Sequence, residues 1–312
     1  MAISVATRAM MRNLERAMDA ILITGPTASG KSALAVALAE RHGGVVVNAD
    51  SMQVYDTLKV LTARPDEADM GGIEHFLYGH VTAGRLYSTG VWLRDAEALV
   101  VKLRGEGRLP VFVGGTGLYF KALTGGLSEM PAIPAKIREA LRERLKAEGA
   151  AALYTELERR DPQTAEQLQP GDGQRIVRAL EVIETTGRPI RLYQHMRGPM
   201  VVDPARAKKI VVLPERSLLH SRIDRRFETM LASGAVEEVQ ALLALKLSPD
   251  MPVMKAIGVQ QIAAMLSGEM NAAEVIATGA AATRQYAKRQ MTWFRNQLDD
   301  GWQRIARPDD LL

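Results

Sequence analysis

The chain has 312 residues, no cysteine and a net charge of +4 at pH 7. Disulfides and thiolate metal sites are therefore excluded, and the length suits two domains or one large domain with an insertion. No apolar run reaches the ~18 to 20 residues that span a bilayer, so we expect a soluble protein without a membrane partner. The lack of cysteine suits a reducing compartment, so we expect the protein to be cytoplasmic. The small net charge indicates nucleic-acid binding only if cations cluster locally.

The chain begins with a segment that predicts no folded element. It contains Arg8, Arg12 and Arg16, but its apolar stretches are too short for the core of a signal peptide. We therefore interpret residues 1–20 as a frayed extension.

Short apolar runs along the chain predict strands at "AILIT", "GGVVVNAD", "GRLPVFVGGTG" and "AKKIVVLPE". Runs of this kind suit strands buried on both faces, as in a parallel sheet covered by helices. From about Ser128 the sequence has helical periodicity and heavy charge instead. We predict an α/β fold of the P-loop type, with a core of residues 21–127 and 200–312 and a small all-helical insertion domain at 128–199. "LLHSRIDRRFETMLASG" and "AAATRQYAKRQMTWFRNQL" predict late helices, the first closed by Gly234.

The segment "GPTASGKS" fits the phosphate-binding pattern G-x-x-x-x-G-K-[ST] at every required position. Between a strand and a helix, such a loop directs backbone N–H groups and the positive end of the helix dipole towards a phosphate. Its lysine reaches the outer phosphate, and the next hydroxyl, that of Ser32, can ligate Mg²⁺. The residues predicted to bind a diphosphate are Gly25, Pro26, Thr27, Ala28, Ser29, Gly30, Lys31 and Ser32.

The rest of the sequence does not favour a nucleotide in this loop. The strand "LPVFV" runs into Gly114, Gly115 and Thr116 without the carboxylate that nucleoside triphosphatases place there, and no Asn-Lys-x-Asp sequence is present. An acid follows a different strand, at Asp50. At the carboxyl end of a strand beside the phosphate loop, a carboxylate can ligate metal or accept a proton from a nucleophile. The alternative is that Asp50 caps the next helix.

Five ordered blocks carry a resemblance to a known family: "GPTASGKS", "NADSMQVY", "GGTGLYF", "QRIVRALEVIETTGRP" and "RQYAKRQMTWFR". From about Ile21 to Trp302 the chain resembles the bacterial tRNA dimethylallyltransferases, also called tRNA isopentenyltransferases. The resemblance implies transfer of a dimethylallyl group from dimethylallyl diphosphate to the exocyclic amine of the adenosine directly 3′ of the anticodon, position 37. The implied partners are tRNA and the prenyl donor, with Mg²⁺ as cofactor, and we expect a monomer.

The same resemblance implies roles for individual residues. Asp50 would act as general base on the adenine amine, and Thr116 would lie beside the reacting base. Either Arg222 or Arg226 would neutralise the leaving diphosphate. The implied tRNA contacts are Asp50, Ser51, Met52, Gln53, Gln174, Arg175 and Arg178.

Two stretches depart from the family pattern. Where the family commonly has Gly-Thr-Ala-Lys-Pro, this chain has "LTARP", with Leu61 and Arg64. Where paired histidines are usual, this chain has "GIEHF". These departures change none of the residues assigned to catalysis.

A cluster of cations lies near the C-terminus. Residues 281–295 contain Arg284, Lys288, Arg289 and Arg295 and no acid. On a helix Arg284, Lys288 and Arg295 share one face, so we predict that they contact tRNA phosphates. The alternative is a solvated basic face beside buried aromatic residues.

Two other functions are weighed against prenyl transfer. A small-molecule kinase that uses ATP would also combine a phosphate loop, an Asp after the second strand and an Arg-rich helix, but the nucleotide signatures are missing. An RNA-binding regulator with a vestigial loop would leave Lys31, Ser32 and Asp50 unexplained.

Overall fold

A computed structural model describes residues 18–128, 130–194, 198 and 200–311. Most of the predicted N-terminal extension, residues 1–17, therefore lies outside the described residues. Contacts divide the chain into two compact units, one of Met1–Thr124 with Val201–Leu312 and one of Gly125–Met200. No helix in the described ranges is both long enough and apolar enough to cross a bilayer.

The first unit contains one six-stranded sheet in which every pair of neighbours is parallel. Its spatial order is β3-β2-β4-β1-β5-β6. The strands are β1 (Ala20–Thr24), β2 (Val45–Asn48), β3 (His75–Phe76), β4 (Pro110–Gly114), β5 (Ala207–Val212) and β6 (Gln303–Ile305). The predicted α/β fold with a parallel sheet is confirmed, and the four predicted strands are its four central strands.

Twelve α-helices are described within these ranges. Those before the helical unit are α1 (Lys31–His42), α2 (Glu67–Met70), α3 (Thr89–Gly105) and α4 (Gly117–Leu123). Those of the helical unit are α5 (Ala135–Arg160), α6 (Pro162–Ala165), α7 (Gly173–Thr186) and α8 (Ile190–Gln194). Those after it are α9 (Arg216–Ala232), α10 (Ala235–Ala244), α11 (Val259–Leu266) and α12 (Ala272–Gln297).

The core of the first unit explains why the central strands are apolar along their whole length. Ile21, Ile23, Val111 and Ile210 from three of these strands pack with Leu34 and other side chains of α1. Each strand is covered on both faces, so the two-residue alternation of a half-exposed strand is missing. Because β1 runs to α1 and β2 on one side while β5 lies on its other side, the carboxyl end of β1 is a topological switch point.

The second unit has its own core of helices. Leu141, Leu153 and Leu157 of α5 pack with Ile176 and Leu180 of α7. The long α5 is interrupted at Gly149, which has φ of 81° and ψ of 167°. An L-residue with a side chain rarely adopts that conformation, so glycine permits the break.

Candidate active site

The phosphate loop joins β1 to α1 through a backbone path that few residues could follow. Ala28 and Gly30 have φ of 63° and 87°, in the left-handed region. A side chain at Gly25 would clash, since a Cβ there would lie 2.6 Å from the carbonyl oxygen of Val212 in β5. Ser29 is buried. This local geometry ends in the N-terminus of α1, where backbone N–H groups are available to an anion.

Lys31 at the start of α1 lies in an electrostatically unusual position. Its Nζ donates a hydrogen bond to the carbonyl oxygen of Pro26, at 3.1 Å. Burial lowers the pKa of Lys31 to about 8, with the negative charge of Asp50 opposing that shift and the positive charge of Arg226 adding to it. Two cations, Lys31 and Arg226, thus lie near one carboxylate. A bound polyanion would reduce the repulsion between these two positive charges. Ser32, the next residue, is exposed on the first turn of the helix.

Asp50 lies in a turn after β2 that polar side chains hold in place. Its backbone N–H donates to Oδ1 of Asn48 at 2.9 Å, and its own Oδ1 accepts the N–H of Met52 at 2.9 Å. The buried Asn48 amide also donates to the carbonyl oxygens of Asp50 and Leu77, each at 3.0 Å. No helix begins here, because the next one starts at Glu67. The alternative that Asp50 caps a helix is therefore wrong; it caps a turn.

Thr116 connects the end of β4 to that turn. Its Oγ1 accepts the backbone N–H of Ser51 at 3.0 Å and lies 3.3 Å from the Ser51 hydroxyl. The neighbouring Gly115 has no room for a larger residue, since a Cβ there would lie 3.4 Å from Oδ2 of Asp50 and 2.2 Å from the Gln290 amide nitrogen. Asp50 and Thr116, to which the family resemblance gives roles at the reacting base, are thus brought into one cluster.

A pocket of about 280 Å³ opens beside this cluster. Its polar lining includes Thr27 of the phosphate loop, Asp50 and Arg226 of α9. Burial lowers the pKa of Arg226, with the charges of Asp69 and Asp50 opposing that shift. Arg222, one turn earlier on α9, is exposed and does not line the pocket. The structure therefore separates the two arginines that the sequence left as alternatives.

The rest of the lining comes from residues that the sequence did not identify as part of the site. One wall is apolar, and it is formed by Leu61, Ile223, Phe227, Met230 and Ile257. Further lining residues include Lys255, Tyr286 and Arg289. The departure of "LTARP" from the family pattern could have identified Leu61 as a pocket residue. The cluster of cations near the C-terminus could have identified Arg289. The 255–257 segment had no comparable signal.

Gln290 of α12 is buried and joins the phosphate loop to the end of β4. Its Oε1 accepts the backbone N–H of Thr27 at 3.0 Å, and its Nε2 donates to the carbonyl oxygen of Gly115 at 3.0 Å. The side chain is 6% exposed; its bond to Gly115 is buried, whereas its bond to Thr27 lies beside the pocket. Its spacing from Tyr286 and Trp293 puts the three residues on one face of a helix, but the sequence alone assigns Gln290 no role.

The basic residues of α12 differ in their exposure and in the partners that they contact. Lys288 and Arg295 are exposed, whereas Arg284 forms an ion pair with Asp224 of α9. The guanidinium of Arg289 lies 5.6 Å from the centre of the Tyr286 ring, within range of a cation–π contact. Next to them is an open groove of about 520 Å³, lined by residues that include Lys288, Arg289 and Trp293. Cations beside an aromatic ring suit a nucleic acid.

Three of the remaining predicted tRNA contacts, Arg175, Arg178 and Gln53, already have partners within the protein. In the helical unit Gln174 is exposed, Arg175 lies 3.2 Å from Asp172, and Arg178 lies 3.0 Å from the buried Glu181. In the first unit the Nε2 of Gln53 donates to the carbonyl oxygens of Thr62 and Ala63 at 3.0 and 2.9 Å. Gln53 therefore braces the loop that carries Leu61, and only its Oε1 remains for another partner.

No group of three or more His, Asp or Glu side chains that could hold a metal ion occurs among the described residues. An ion at this site would therefore have few protein ligands. That is the usual situation for Mg²⁺, which keeps several waters and binds substrate phosphates.

Comparisons with known proteins agree with this geometry. A profile of the family described as IPP transferase matches residues 53–297. A tRNA dimethylallyltransferase of Rhizobium meliloti is 76% identical over 302 residues, which cover 97% of this chain and 100% of that protein. One of Agrobacterium fabrum is 70% identical over 296 residues, covering 95% of this chain and 99% of that protein.

Two solved structures extend the likeness to three dimensions. The full-length tRNA isopentenylpyrophosphate transferase of Bacillus halodurans has a TM-score of 0.65 and 32% identity, covering 91% of this chain and 88% of that one. A eukaryotic dimethylallyltransferase acting on tRNA has a TM-score of 0.75 and 26% identity, covering 88% of this chain and 69% of that one. With most of its length matched by the family profile, by curated relatives and by solved structures, the chain belongs to the IPP transferase family.

Proposed function

We propose that this protein transfers the dimethylallyl group of dimethylallyl diphosphate to the exocyclic amine of adenosine 37 of tRNA. The observation that carries the proposal is that a phosphate loop, a carboxylate and an arginine face one pocket, through Thr27, Asp50 and Arg226. The names of the similar proteins, tRNA dimethylallyltransferase and tRNA isopentenylpyrophosphate transferase, support this substrate pair.

The diphosphate of the donor binds at the N-terminus of α1, in residues Gly25 to Ser32. As the bond between the allylic carbon and oxygen breaks, negative charge accumulates on the leaving diphosphate. Lys31 and Arg226 stabilise that charge, and their fixed positions need no reorganisation during the step. Arg226 is the arginine that does this, since it lines the pocket and Arg222 does not.

Asp50 takes the proton from the adenine amine as the new bond between nitrogen and carbon forms. Its Oδ1 is engaged by the Met52 N–H, so Oδ2 is the oxygen assigned to the proton. Thr116 keeps the turn in place through its bond to Ser51. The proton thus passes to the carboxylate while diphosphate leaves, and charges balance over the step.

Mg²⁺ fits the oxygen donors at the start of α1. The exposed hydroxyl of Ser32 would hold the ion together with donor phosphate oxygens, as small hard cations prefer. Such an ion supplies further neutralisation of the leaving diphosphate.

The tRNA would be held by its phosphates and by one base turned out of the stack. We assign phosphate contacts to Lys288, Arg295 and Arg284, and contacts near the target base to Asp50, Ser51, Met52 and Gln53. Gln174, Arg175 and Arg178 of the helical unit are assigned to the tRNA as well. The proposed reaction needs no second copy of the chain, so we propose a monomer that works in the cytoplasm, where its tRNA substrate is.

The test is to incubate the purified protein with unmodified tRNA, Mg²⁺ and dimethylallyl diphosphate, and to analyse tRNA nucleosides by mass spectrometry. We expect adenosine that carries one added five-carbon prenyl group at position 37. An ATP-using kinase would instead be stabilised against melting by ATP and would leave the tRNA unmodified. That pair of results would contradict the proposal.

A further inference from the structure

Leu61 forms part of the apolar pocket wall and is fixed in place by a close neighbour. Its side chain is 7% exposed. Behind it lies Gly258, whose φ is +100° and where a Cβ would come within 2.5 Å of Leu61 Cδ1. The leucine thus fills the space that a side chain at position 258 would need, and its other surface faces the pocket.

The backbone that carries Leu61 is held by one carboxylate. Glu238 of α10 accepts three consecutive backbone N–H groups, from Lys59, Val60 and Leu61, at 2.9, 2.7 and 3.0 Å. Hydrogen bonds to an ionised acceptor are stronger than neutral ones. The Gln53 amide holds the next two carbonyl groups from the other side. The backbone of this loop is therefore held in place by hydrogen bonds with Glu238 and Gln53.

The part of the lining that comes from α9 places hydrocarbon next to a cation on a single helix. Ile223, Phe227 and Met230 of α9 line the pocket together with Arg226, which lies between them in sequence. Phe227 is itself wedged against α12, where a Cβ at Gly279 would lie 2.0 Å from the ring. A molecule with an anionic head at Arg226 and a short apolar tail matches this lining.

We propose that Leu61 sets the upper limit on the length of the prenyl chain, admitting the five-carbon dimethylallyl group and excluding the ten-carbon geranyl group. Glu238 is the positioning residue that keeps this limit in place. The inference rests on the proposed prenyl transfer, which it makes more specific. Because neither Leu61 nor Phe227 can move away without breaking buried contacts, extra carbons have no space unless Leu61 is made smaller.

The test compares kcat/KM for tRNA alkylation with dimethylallyl diphosphate and with geranyl diphosphate. Leu61→Ala removes three carbons from the wall. We expect the preference for dimethylallyl over geranyl to fall by at least about tenfold, the lower end of what one methylene contributes in an apolar pocket. Leu61→Val is a milder variant that should shift the ratio in the same direction by less. Glu238→Gln should also reduce the preference, because an amide donor faces groups that are themselves donors.

Leu58→Ala is the matched control, because Leu58 lies in the same loop and is buried but does not line the pocket. Its donor ratio should stay within about twofold of the unmodified protein. Melting curves with each diphosphate provide a second readout, and geranyl diphosphate should stabilise the Leu61 variants and Glu238→Gln but not the unmodified protein or Leu58→Ala.

Three outcomes would overturn the inference. The first is an unchanged donor ratio in folded Leu61→Ala and Leu61→Val. The second is a change confined to the KM for tRNA, which would assign the Leu61 wall to the acceptor. The third is the absence of any alkylation by the unmodified protein, which would contradict the proposed function itself and, with it, this inference.

Discussion

Asp50 is the residue on which the proposed chemistry depends most, and its two carboxylate oxygens have different surroundings. Asp50→Asn preserves the shape and an oxygen that can accept the Met52 N–H, but it removes the base. We expect single-turnover alkylation to slow by about 10² to 10⁴, with tRNA affinity unchanged within a few-fold. If Asp50 only caps the turn, Asp50→Asn should alkylate tRNA at a normal rate. If Asp50 is a metal ligand, raising the Mg²⁺ concentration should partly restore the rate of Asp50→Asn. Rates across a Mg²⁺ series distinguish these cases.

The buried charge of Lys31 lowers the free energy of unfolding of the ligand-free protein. Burial lowers its pKa to about 8, so the folded state binds this proton less tightly than the unfolded state. The cost is present below pH 8 and fades as the pH rises towards 10.5, the ordinary lysine value. Lys31→Met should therefore raise the free energy of unfolding at pH 7 by about 1 to 2 kcal/mol, since the side chain keeps some contact with solvent.

Urea unfolding of the ligand-free protein at pH 7 and at pH 10 measures this effect. The gain from Lys31→Met should be smaller at pH 10, while stabilisation by the prenyl donor is lost at both pH values. A variant that is less stable than the unmodified protein at pH 7 would contradict the electrostatic account.

At the scale of elements, α12 has a buried face beside the pocket and a basic face exposed to solvent. Its buried Gln290 accepts the N–H of Thr27 and donates to Gly115. Gln290→Leu would leave the buried carbonyl oxygen of Gly115 unpaired, a loss of about 1 to 3 kcal/mol, and would release the N–H of Thr27 in the phosphate loop. We expect the KM for the donor to rise about tenfold or more, with the tRNA dissociation constant unchanged. Gln240→Leu, at an exposed position of α10, is the control, and equal effects of the two variants would argue against a positioning role.

The outer face of α12 leads to a prediction about salt. Lys288→Ala and Arg295→Ala should each reduce the salt dependence of tRNA binding by ~0.7 to 0.9 in slope, the value for one phosphate contact. Arg284→Ala should reduce it less, because Arg284 is already paired with Asp224. The exposed Arg304 in β6 provides a matched control. An unchanged slope in the Lys288 and Arg295 variants would mean that this face is merely solvated.

Sequence reasoning succeeded for elements whose patterns are long and uniform. The four central strands are apolar throughout because helices cover them, and the phosphate loop has its own pattern. The edge strands β3 and β6 are only two and three residues long, too short for any period to show. The apolar wall was also missed, because Leu61 and Ile257 lie in irregular segments and are brought to the pocket by tertiary contacts such as those of Glu238.

At the scale of the whole molecule, the pocket draws on two distant stretches of the chain. Asp50 and Leu61 precede the helical unit, whereas Arg226, Ile257 and Tyr286 follow it. The helical unit has a separate core in which α5 packs on α7. The sequence indicated this unit by its change from strand patterns to helical periodicity. Periodicity alone does not predict which residues of the two flanking stretches contact each other.

The placement of β1 between β4 and β5 has a consequence for biosynthesis. Ala20 pairs with Ala207 across the sheet, so one edge of β1 has no partner until the ribosome has made β5. The core of the helical unit is synthesised before that point, since its residues lie between Ile133 and Ile190. We therefore expect local contacts in the helical unit to form first during translation, and the sheet to close late, with the slower kinetics typical of non-local strand pairing. Until then the unpaired edge of β1 is a site for misassembly, and a chaperone that shields it would raise the yield of folded protein.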